Sequence, residues 1–289
     1  MFVTTLIAPP GRLEAGFATA LRNAWGGGAL RWLSPGEAVE FEIDAVPDTS
    51  GRARQDAHAM GVDLVVQPAE GRRKRLLLAD MDSTVIAQEC IDELAAMAGV
   101  GAEVSAITER AMAGELDFEG ALRARVALLA GLDAAVIDRV WEERITFTPG
   151  GRTLVATMKA HGAHTALVSG GFTAFTARVA AALGFDEHRA NELPVRDGRI
   201  TGEVAEPILG RDAKVAALEA LCARIGCDAS EAMAVGDGAN DLGMLHLAGA
   251  GVALHAKPAV AAAVERRIDF GDLTALLYLQ GYGVDDFAG

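Results

Sequence analysis

The sequence is organised around one segment, Leu76-Leu-Leu-Ala-Asp80-Met-Asp82-Ser-Thr84-Val85. Its first four residues are continuously apolar, which is typical of a parallel strand buried on both faces. Ligands of doubly wound sheets bind beyond the carboxyl ends of such strands, where Asp80 and Asp82 stand. Because side chains alternate along an extended backbone, residues two apart point to the same side. We therefore expect both acids to face one reacting group, one as nucleophile and the other as proton donor.

Length, composition and charge favour a two-domain enzyme that acts on small molecules. With 289 residues, of which 51% are hydrophobic, the chain can bury a sizeable core. A formal net charge of -14 argues against nucleic acid and acidic membrane surfaces as partners, because both require a basic binding surface. Residues 1–10 lack the features of a signal peptide, and no apolar run is long enough to cross a bilayer.

Cysteine and histidine usage argues against both disulfide bonds and a zinc site. Cys90, Cys222 and Cys227 are an odd number and show no Cys-x-x-Cys spacing, which indicates a reducing compartment. The histidines form no metal-type cluster with a third acid. We expect a cytoplasmic protein without a histidine-based metal site.

Residues 1–72 are predicted to form a ferredoxin-like (ACT-like) α+β domain. Strand and helix patterns follow in the order β-α-β-β-α-β, with the clearest alternation at Val39, Phe41 and Ile43. The basic linker, residues 72–75, leads into the next domain, and we interpret it as solvated. The role of the module stays open between binding an amino-acid effector and serving as a stabilising or dimerising appendage, which would give a homodimer.

Residues 87–147 carry a helical pattern of about four helices and almost no strand signals. Such an insert directly after the first strand is typical of a cap that excludes water and contacts the substrate. Strand and helix patterns alternate again from residue 148 onwards, which predicts an α/β fold with helices on both faces of a parallel sheet. We assign residues 73–86 and 148–289 to this Rossmann-like core.

Two positions after the insert suit phosphate binding. Ser169-Gly170-Gly171 follows a predicted strand, 163–168, and precedes a predicted helix, so backbone amides, a helix dipole and a hydroxyl would meet an anion there. A helix N-cap beside turn glycines explains this segment equally well. Lys214, at the start of a later helix, would neutralise a transferring phosphoryl group, although most lysines in such places are only solvated.

The loop Gly236-Asp237-Gly238-Ala239-Asn240-Asp241 follows another predicted strand, 232–235. At the carboxyl edge of a parallel sheet, its carboxylates would face Asp80 and form a cage of oxygen atoms. Such a cage suits Mg²⁺, which keeps several waters and binds substrate phosphate. A loop stabilised by Asx caps is the simpler alternative, but that alternative does not require so many specified residues.

In combination these motifs resemble the haloacid dehalogenase-like (HAD) hydrolase superfamily. Their order is Asp-x-Asp-x-Thr after a strand, then a serine, a lysine and Gly-Asp-Gly-x-Asn-Asp, and the resemblance runs from about residue 75 to the end of the chain. Within the superfamily, residues 80–85, the helical insert and residues 236–241 are similar to the phosphoserine phosphatase family. The ferredoxin-like module is similar to that of its bacterial members.

The resemblance implies a role for each motif residue. Asp80 would be the nucleophile that forms an aspartyl-phosphate, and Asp82 the general acid and base. Mg²⁺ would be held by the side chain of Asp80, the backbone carbonyl of Asp82 and the side chain of Asp237. The phosphoryl group would be bound by Ser169, Gly170, Lys214 and Asn240, with Asp241 behind the metal site. The amino-acid part of the substrate would be bound by Glu89 (ammonium), Arg125 (carboxylate), Met112 and Phe118.

The implied reaction is hydrolysis of O-phospho-L-serine to L-serine and phosphate, the last step of L-serine biosynthesis. A phosphatase or phosphotransferase for another small phosphate is the nearest alternative, and Glu89 and Arg125 argue against it. An amino-acid sensor with a merely binding phosphatase half is another alternative, which would not need both Asp80 and Asp82. The segment His255-Ala-Lys257-Pro258 also resembles the family, but the sequence assigns it no chemical role.

Overall fold

Two large β-sheets, one antiparallel and one parallel, organise the computed structural model, which describes residues 1–112 and 115–289 and only the backbone of Met112. The antiparallel sheet belongs to the first elements of the chain, β1 (Phe2–Ile7), α1 (Ala15–Ala24), β2 (Arg31–Ser34), β3 (Ala38–Ile43), α2 (Ser50–Ala59) and β4 (Asp63–Pro68). Its strand order, β2-β3-β1-β4, confirms the predicted ferredoxin-like module. Val39, Phe41 and Ile43 of β3 are buried in one apolar cluster with residues of both helices.

The predicted helical insert directly follows the first strand of the parallel sheet, β5 (Leu76–Ala79). Its helices in the described residues are α3 (Cys90–Ala98), α4 (Gly101–Met112), α5 (Phe118–Ala127) and α6 (Ala135–Glu143). Buried residues of these helices, such as Leu94 and Val140, belong to the same apolar cluster as residues of the parallel sheet. Nowhere in the described parts of the chain is a helix long and apolar enough to cross a membrane. The domain boundaries at residues 72, 86 and 147 stay predictions.

Strands and helices alternate after this cap, as the sequence predicts. The elements are α7 (Gly151–Ala160), β6 (His164–Phe172), α8 (Thr173–Leu183), β7 (Glu187–Asn191), β8 (Val195–Arg196), β9 (Arg199–Ile200), α9 (Arg211–Ile225), β10 (Ala232–Gly236), α10 (Leu242–Leu247), β11 (Ala250–Leu254), α11 (Pro258–Ala263), β12 (Arg266–Ile268) and α12 (Ala275–Leu279). The parallel sheet has the order β12-β11-β10-β5-β6-β7, and the hairpin β8-β9 lies apart from it. β5 is central and fully buried, which confirms that its apolar run forms an inner parallel strand.

Two edge strands of the parallel sheet, β7 and β12, have no clear pattern in the sequence. β7 is mostly polar because its side chains pair across the sheet edge: Glu187 lies 2.6 Å from His164 and forms an ion pair with Arg224. β12 contains two arginines. An edge strand has one side open to solvent and therefore needs no continuous apolar run. The hairpin at Asp197-Gly198 is also shorter than the predicted pairing of residues 192–204.

The prediction that a strand ends at residue 168, just before Ser169, is wrong in detail, whereas the predicted helix does follow this segment. β6 continues to Phe172, and the pairing with β7 is irregular between Val168 and Phe172. Ser169 and Gly170 therefore lie inside this irregular end of the strand, and α8 begins only at Thr173. The helix dipole consequently starts several residues beyond the serine.

The basic linker is solvated only in part: Arg73 and Arg75 are exposed, as predicted, but Arg72 and Lys74 are partly buried, and the side chains pair with both halves of the molecule. Arg72 donates to Glu40 of β3 at 2.7 Å, and Glu40 is itself buried. Lys74 Nζ donates to the carbonyl of Ser230 at 2.7 Å, and Arg75 donates to a carbonyl at the end of α9 at 3.0 Å. The linker thus attaches the N-terminal module to the core. The homodimer expected through this module stays a prediction.

Asp63, at the start of β4, makes a second attachment between the two sheets. Its buried carboxylate accepts hydrogen bonds from the backbone N–H groups of Asp269, Phe270 and Gly271 at 2.8, 3.1 and 2.9 Å. These residues directly follow β12, the edge strand of the parallel sheet. One carboxylate therefore accepts the backbone N–H groups of three successive residues of the core.

Asp63→Asn is expected to lower the free energy of unfolding by about 2 kcal/mol, because an amide N–H would replace an acceptor that faces backbone donors. Urea unfolding followed by tryptophan fluorescence measures the change. Asp48→Asn, at an exposed position, is the matched control and should stay within about 0.5 kcal/mol of the original protein. Equal stabilities of the two variants would contradict the role of Asp63.

Candidate active site

A cavity of about 180 Å³ opens at the carboxyl ends of β5, β6 and β10. The predicted site residues that line it are Asp80, Asp82, Glu89, Phe118, Arg125, Ser169, Gly170, Asp237 and Asn240. Lys214 and Asp241 are buried beneath it and contact the group around Asp80. The side chain of Met112 lies outside the described residues. The structure therefore brings every other predicted site residue to one place.

A turn, rather than strand alternation, directs Asp80 and Asp82 into the cavity. The strand ends at Ala79, and a single wide helical turn follows from Met81 to Val85. Asp82 interrupts this turn with extended backbone angles, and Ser83 has a positive φ of 54°. The N–H of Asp80 still donates to the carbonyl of Val235 at 3.0 Å. The first acid is thus tied to β10, while the turn brings the second acid back over it.

Lys214 lies between two of the acids. Its Nζ is 2.6 Å from Asp80 Oδ1 and 2.6 Å from Asp241 Oδ1, and the lysine side chain is only 1% exposed. Burial alone would lower the pKa of Lys214, but the two carboxylates outweigh it and leave the pKa raised. Burial, with repulsion from Asp241, raises the pKa of Asp80, which Lys214 opposes. The lysine therefore stays an ammonium that holds the two acids together.

Asp80, Asp237 and Asp241 form an acidic cluster. Each offers a carboxylate oxygen, and these oxygens lie within 4.8 Å of one another. Burial raises the pKa of Asp237 from 3.8 to about 6; Lys257 lowers it again in part, and Asp241 adds repulsion. Carboxylates so close together in a buried place favour either protons or a cation.

The glycines of the loop after β10 allow this close approach of the acids. A Cβ on Gly236 would lie 2.4 Å from Cγ of Asp241, so a larger residue would displace that acid. Asp241 Oδ2 accepts the N–H of Gly238 at 3.0 Å, and its other oxygen contacts Lys214. Both oxygens of Asp241 are thus engaged from within the protein, whereas Asp237 faces the cavity.

Asp82 is held by donors from the cap and from β6. Its Oδ1 accepts the N–H of Cys90 at 2.9 Å, and its Oδ2 accepts the hydroxyl of Ser169 at 3.0 Å. A Cβ on Gly171 would lie 2.5 Å from Oδ2, so glycine is needed beside it. Burial, followed by repulsion from Glu89, raises the pKa of Asp82 to about 6. A carboxyl group with this pKa can release and take up a proton near neutral pH.

The cap contributes a carboxylate, Glu89, and a guanidinium, Arg125, to the lining of the cavity. Glu89 Oε1 accepts the hydroxyl of Ser83 at 2.8 Å, which fixes the carboxylate beside the turn after β5. Arg125 Nε donates to the carbonyl of Ala121 in its own helix at 3.3 Å. Opposite charges on one wall of a small cavity suit a zwitterionic ligand.

Phe118 closes the cap onto the core. A Cβ on Gly170 would lie 3.1 Å from its ring, and one on Gly210 would lie 3.2 Å from it. The ring therefore fits against two glycines that leave room for it. A side chain at position 170 would crowd this ring, which explains why the residue there is glycine.

Two residues of the site, Asn191 and Lys257, are assigned no role by the sequence. Asn191 Nδ2 donates to the carbonyls of Gly170 and Leu209 at 2.8 and 3.2 Å, and its Oδ1 accepts the N–H of Leu209 at 2.6 Å. It thereby joins the irregular end of β6 to the segment before α9. Lys257 also lines the cavity, although the sequence assigns no chemical role to its segment.

Comparisons with known proteins relate the chain to one group of hydrolases. The family described as haloacid dehalogenase-like hydrolase matches residues 77–246. A phosphoserine phosphatase of Streptomyces coelicolor is 43% identical over 288 residues, which are 96% of this chain and 70% of that protein. A phosphoserine phosphatase of Archaeoglobus fulgidus is 43% identical over 226 residues, which are 76% of this chain and 65% of that protein. The matches thus span about two thirds of the length of these relatives.

A solved structure resembles the whole chain. A HAD family hydrolase from Salmonella enterica serovar Typhi superimposes with a TM-score of 0.88 at 31% identity. The superposition covers 96% of this chain and 98% of that one. The ferredoxin-like module, the cap and the parallel sheet therefore occur together in at least one other protein.

Asp237→Asn is expected to stabilise the protein by about 2 kcal/mol at pH 7.5 in the presence of a chelator, because a pKa raised from 3.8 to about 6 makes the ionised acid unfavourable when folded. A raised carboxyl pKa costs stability above about 6, and this cost disappears as the pH falls towards 3.8. The gain should therefore shrink between pH 6 and pH 4.

Thermal unfolding from pH 4 to pH 8 measures this dependence. Asp48→Asn, exposed and distant, should show no such trend. A gain from Asp237→Asn that stays constant over this pH range would be incompatible with a raised pKa of the buried Asp237 carboxyl group.

Proposed function

The chain belongs to the haloacid dehalogenase-like hydrolases, and we propose that it hydrolyses O-phospho-L-serine to L-serine and phosphate through an aspartyl-phosphate. The observation that carries the proposal is one cavity lined by a nucleophile candidate, Asp80, a proton donor candidate, Asp82, and the charged pair Glu89 and Arg125. The phosphoserine phosphatases among its relatives support the substrate.

In the first half of the reaction a carboxylate oxygen of Asp80 attacks phosphorus. The bond between phosphorus and the seryl oxygen breaks, and the seryl oxygen takes a proton from Asp82, so L-serine leaves. Two features support this assignment. Lys214 and the backbone contact to Val235 hold Asp80 in place, and the pKa of Asp82, raised to about 6 by burial and by Glu89, makes it an effective acid.

In the second half Asp82, now a carboxylate, takes a proton from water. The water oxygen attacks phosphorus, the bond to Asp80 breaks, and phosphate leaves with Asp80 regenerated as a carboxylate. The same residue thus donates and accepts the proton, which a pKa near the working pH favours. The helical cap over the cavity would exclude other water molecules from the site.

Ser169, Gly170, Lys214 and Asn240 are the groups we propose to bind the phosphoryl oxygens. Lys214 lies behind Asp80, so its positive charge can stabilise the negative charge on the oxygens of the transferring phosphoryl group. The hydroxyl of Ser169 donates to Asp82 in the structure. Turning that hydroxyl to a phosphoryl oxygen would free Asp82 Oδ2 for proton transfer.

Mg²⁺ is the cofactor that fits this donor set. The acidic cluster offers only oxygen ligands, the one buried ammonium beside it contacts two of its three carboxylates, and burial raises the pKa of both Asp80 and Asp237. The side chains of Asp80 and Asp237 and the carbonyl of Asp82 would hold the ion. When bound, the ion would withdraw negative charge from the phosphoryl oxygens. Asp241, occupied by Lys214 and Gly238, would support the ligands from behind.

Glu89 and Arg125 are proposed to select an amino acid. Glu89, fixed by Ser83, would accept the ammonium, and the planar guanidinium of Arg125 would bind the carboxylate in a bidentate manner. Phe118 would cover the apolar part of the substrate from the cap.

Asp80→Asn is expected to lower turnover of O-phospho-L-serine by at least about a thousandfold, because the covalent step needs the carboxylate. Phosphate release measures turnover, and acid quenching after reaction with ³²P-labelled substrate measures phosphoenzyme. Label should remain on the original protein and on Asp48→Asn and be absent from Asp80→Asn. Equal labelling of Asp80→Asn would assign the nucleophile elsewhere.

Truncated substrates test Glu89 and Arg125 separately. Arg125→Gln should raise KM for O-phospho-L-serine about tenfold or more but leave O-phosphoethanolamine unaffected, because that ester lacks the carboxylate. Glu89→Gln should raise KM for both amines and leave the KM for 3-phosphooxypropanoate, which lacks the ammonium, unchanged. Steady-state phosphate release with Mg²⁺ measures each KM.

The exposed cap residues Arg139 and Glu109 provide matched controls, as Arg139→Gln and Glu109→Gln. These should leave every KM unchanged. A uniform loss on all three esters in Arg125→Gln would indicate a general effect on the cap and would remove its role in carboxylate recognition.

A further inference from the structure

Lys257 stands at the mouth of the cavity with a charge that the proposed reaction does not use. Its Nζ lies 3.6 Å from Asp237 Oδ2, and its side chain is 62% exposed. It lines the cavity together with groups from both the core and the cap. A cation in this position faces both the acidic cluster and any anion that enters.

The backbone holds Lys257 in place although its side chain is exposed. The N–H of Lys257 donates to the backbone carbonyl of Asp237 at 3.2 Å. Two residues earlier, His255 has a positive φ of 45°, its N–H donates to Ile268 at 2.8 Å, and its Nε2 lies 2.8 Å from the carbonyl of Gly271. A non-glycine residue keeps such a conformation only where its surroundings enforce it. The contacts of the core therefore fix the backbone of residues 255–257 and place Lys257 beside Asp237.

The two lysines of the site differ in how firmly they are engaged. Lys214 is buried and 2.6 Å from each of its two acids. Lys257 is 3.6 Å from Asp237, longer than a hydrogen bond, and its long side chain reaches into solvent. Lys214 therefore keeps its two acids as partners, whereas Lys257 can leave Asp237 at little cost in free energy.

We propose that Lys257 is a positioning residue that neutralises Asp237 while the divalent ion is absent and yields this carboxylate when the ion binds. The released ammonium then attracts the anionic substrate to the cavity. This inference rests on the proposed Mg²⁺ site at Asp237. It predicts effects of opposite sign on the two ligands, because the lysine competes with the ion for an acid but assists the phosphate ester.

Lys257→Met tests the proposal, since methionine keeps much of the length and removes the charge. In a titration of the thermal unfolding temperature with Mg²⁺ alone, half-saturation should occur at a roughly three- to tenfold lower concentration than in the original protein, because a neighbouring positive charge is lost. At saturating Mg²⁺, KM for O-phospho-L-serine should rise by a similar factor, with kcat within about twofold.

Two further variants distinguish the effect of the positive charge at position 257 from effects of side-chain shape and of the net charge of the protein. Lys257→Arg keeps the charge and should behave like the original protein in both measurements. Lys159→Met removes the charge of another lysine that is paired with an acid, Asp186, at 2.7 Å and far from the cavity, and it should change neither value.

The outcomes distinguish this inference from the proposed substrate. Half-saturation by Mg²⁺ that is unchanged or weakened in Lys257→Met would overturn the inference, even if phosphoserine is hydrolysed. Tighter Mg²⁺ binding together with a higher KM supports it. If neither the original protein nor any variant hydrolyses phosphoserine but Lys257→Met binds Mg²⁺ more tightly, the competition between Lys257 and the ion for Asp237 is supported and the substrate assignment fails.

Discussion

The buried ammonium of Lys214, placed between Asp80 and Asp241 at 2.6 Å from each, is the contact on which the site depends. It joins β5, α9 and the loop after β10, three segments that are distant in the sequence. Two carboxylates this close in a buried place repel each other unless an opposite charge lies between them. The parallel sheet brings the segments together, and the ammonium of Lys214 reduces the repulsion between their carboxyl groups.

The site still carries more acid than buried base. Burial raises the pKa of Asp80, Asp82 and Asp237 in spite of the nearby lysines. Such unfavourable charge is tolerated because β5 and the cap bury a large apolar core around it, and because phosphate and a divalent ion would relieve it. Stability and activity therefore oppose each other at this edge of the sheet.

The attachment of the N-terminal module shows why composition alone misleads about charged segments. A basic run in an acidic chain has the pattern of a solvated linker, yet Arg72 reaches the buried acid Glu40, and Lys74 reaches a carbonyl of the core. Together with Asp63, which accepts three backbone N–H groups after β12, these contacts make a polar junction between the sheets. Their partners lie far away in the sequence, so no local pattern marks them.

Local sequence was sufficient for the buried strand at residues 76–79, the four-helix insert and the order of the motifs, because apolar runs, helical periodicity and loop residues are properties of short segments. It also placed Asp80, Asp82 and Asp237 at one site, because parallel strands end at a common edge, whereas Ser169 and Lys214 joined them through the family resemblance. The tertiary structure alone decided the polar edge strands, the turn that directs Asp82, the contact of Ser169 with that acid and the place of Lys257. Each of these depends on residues that meet only after folding, and pairings across the chain leave no periodicity from which they could be inferred.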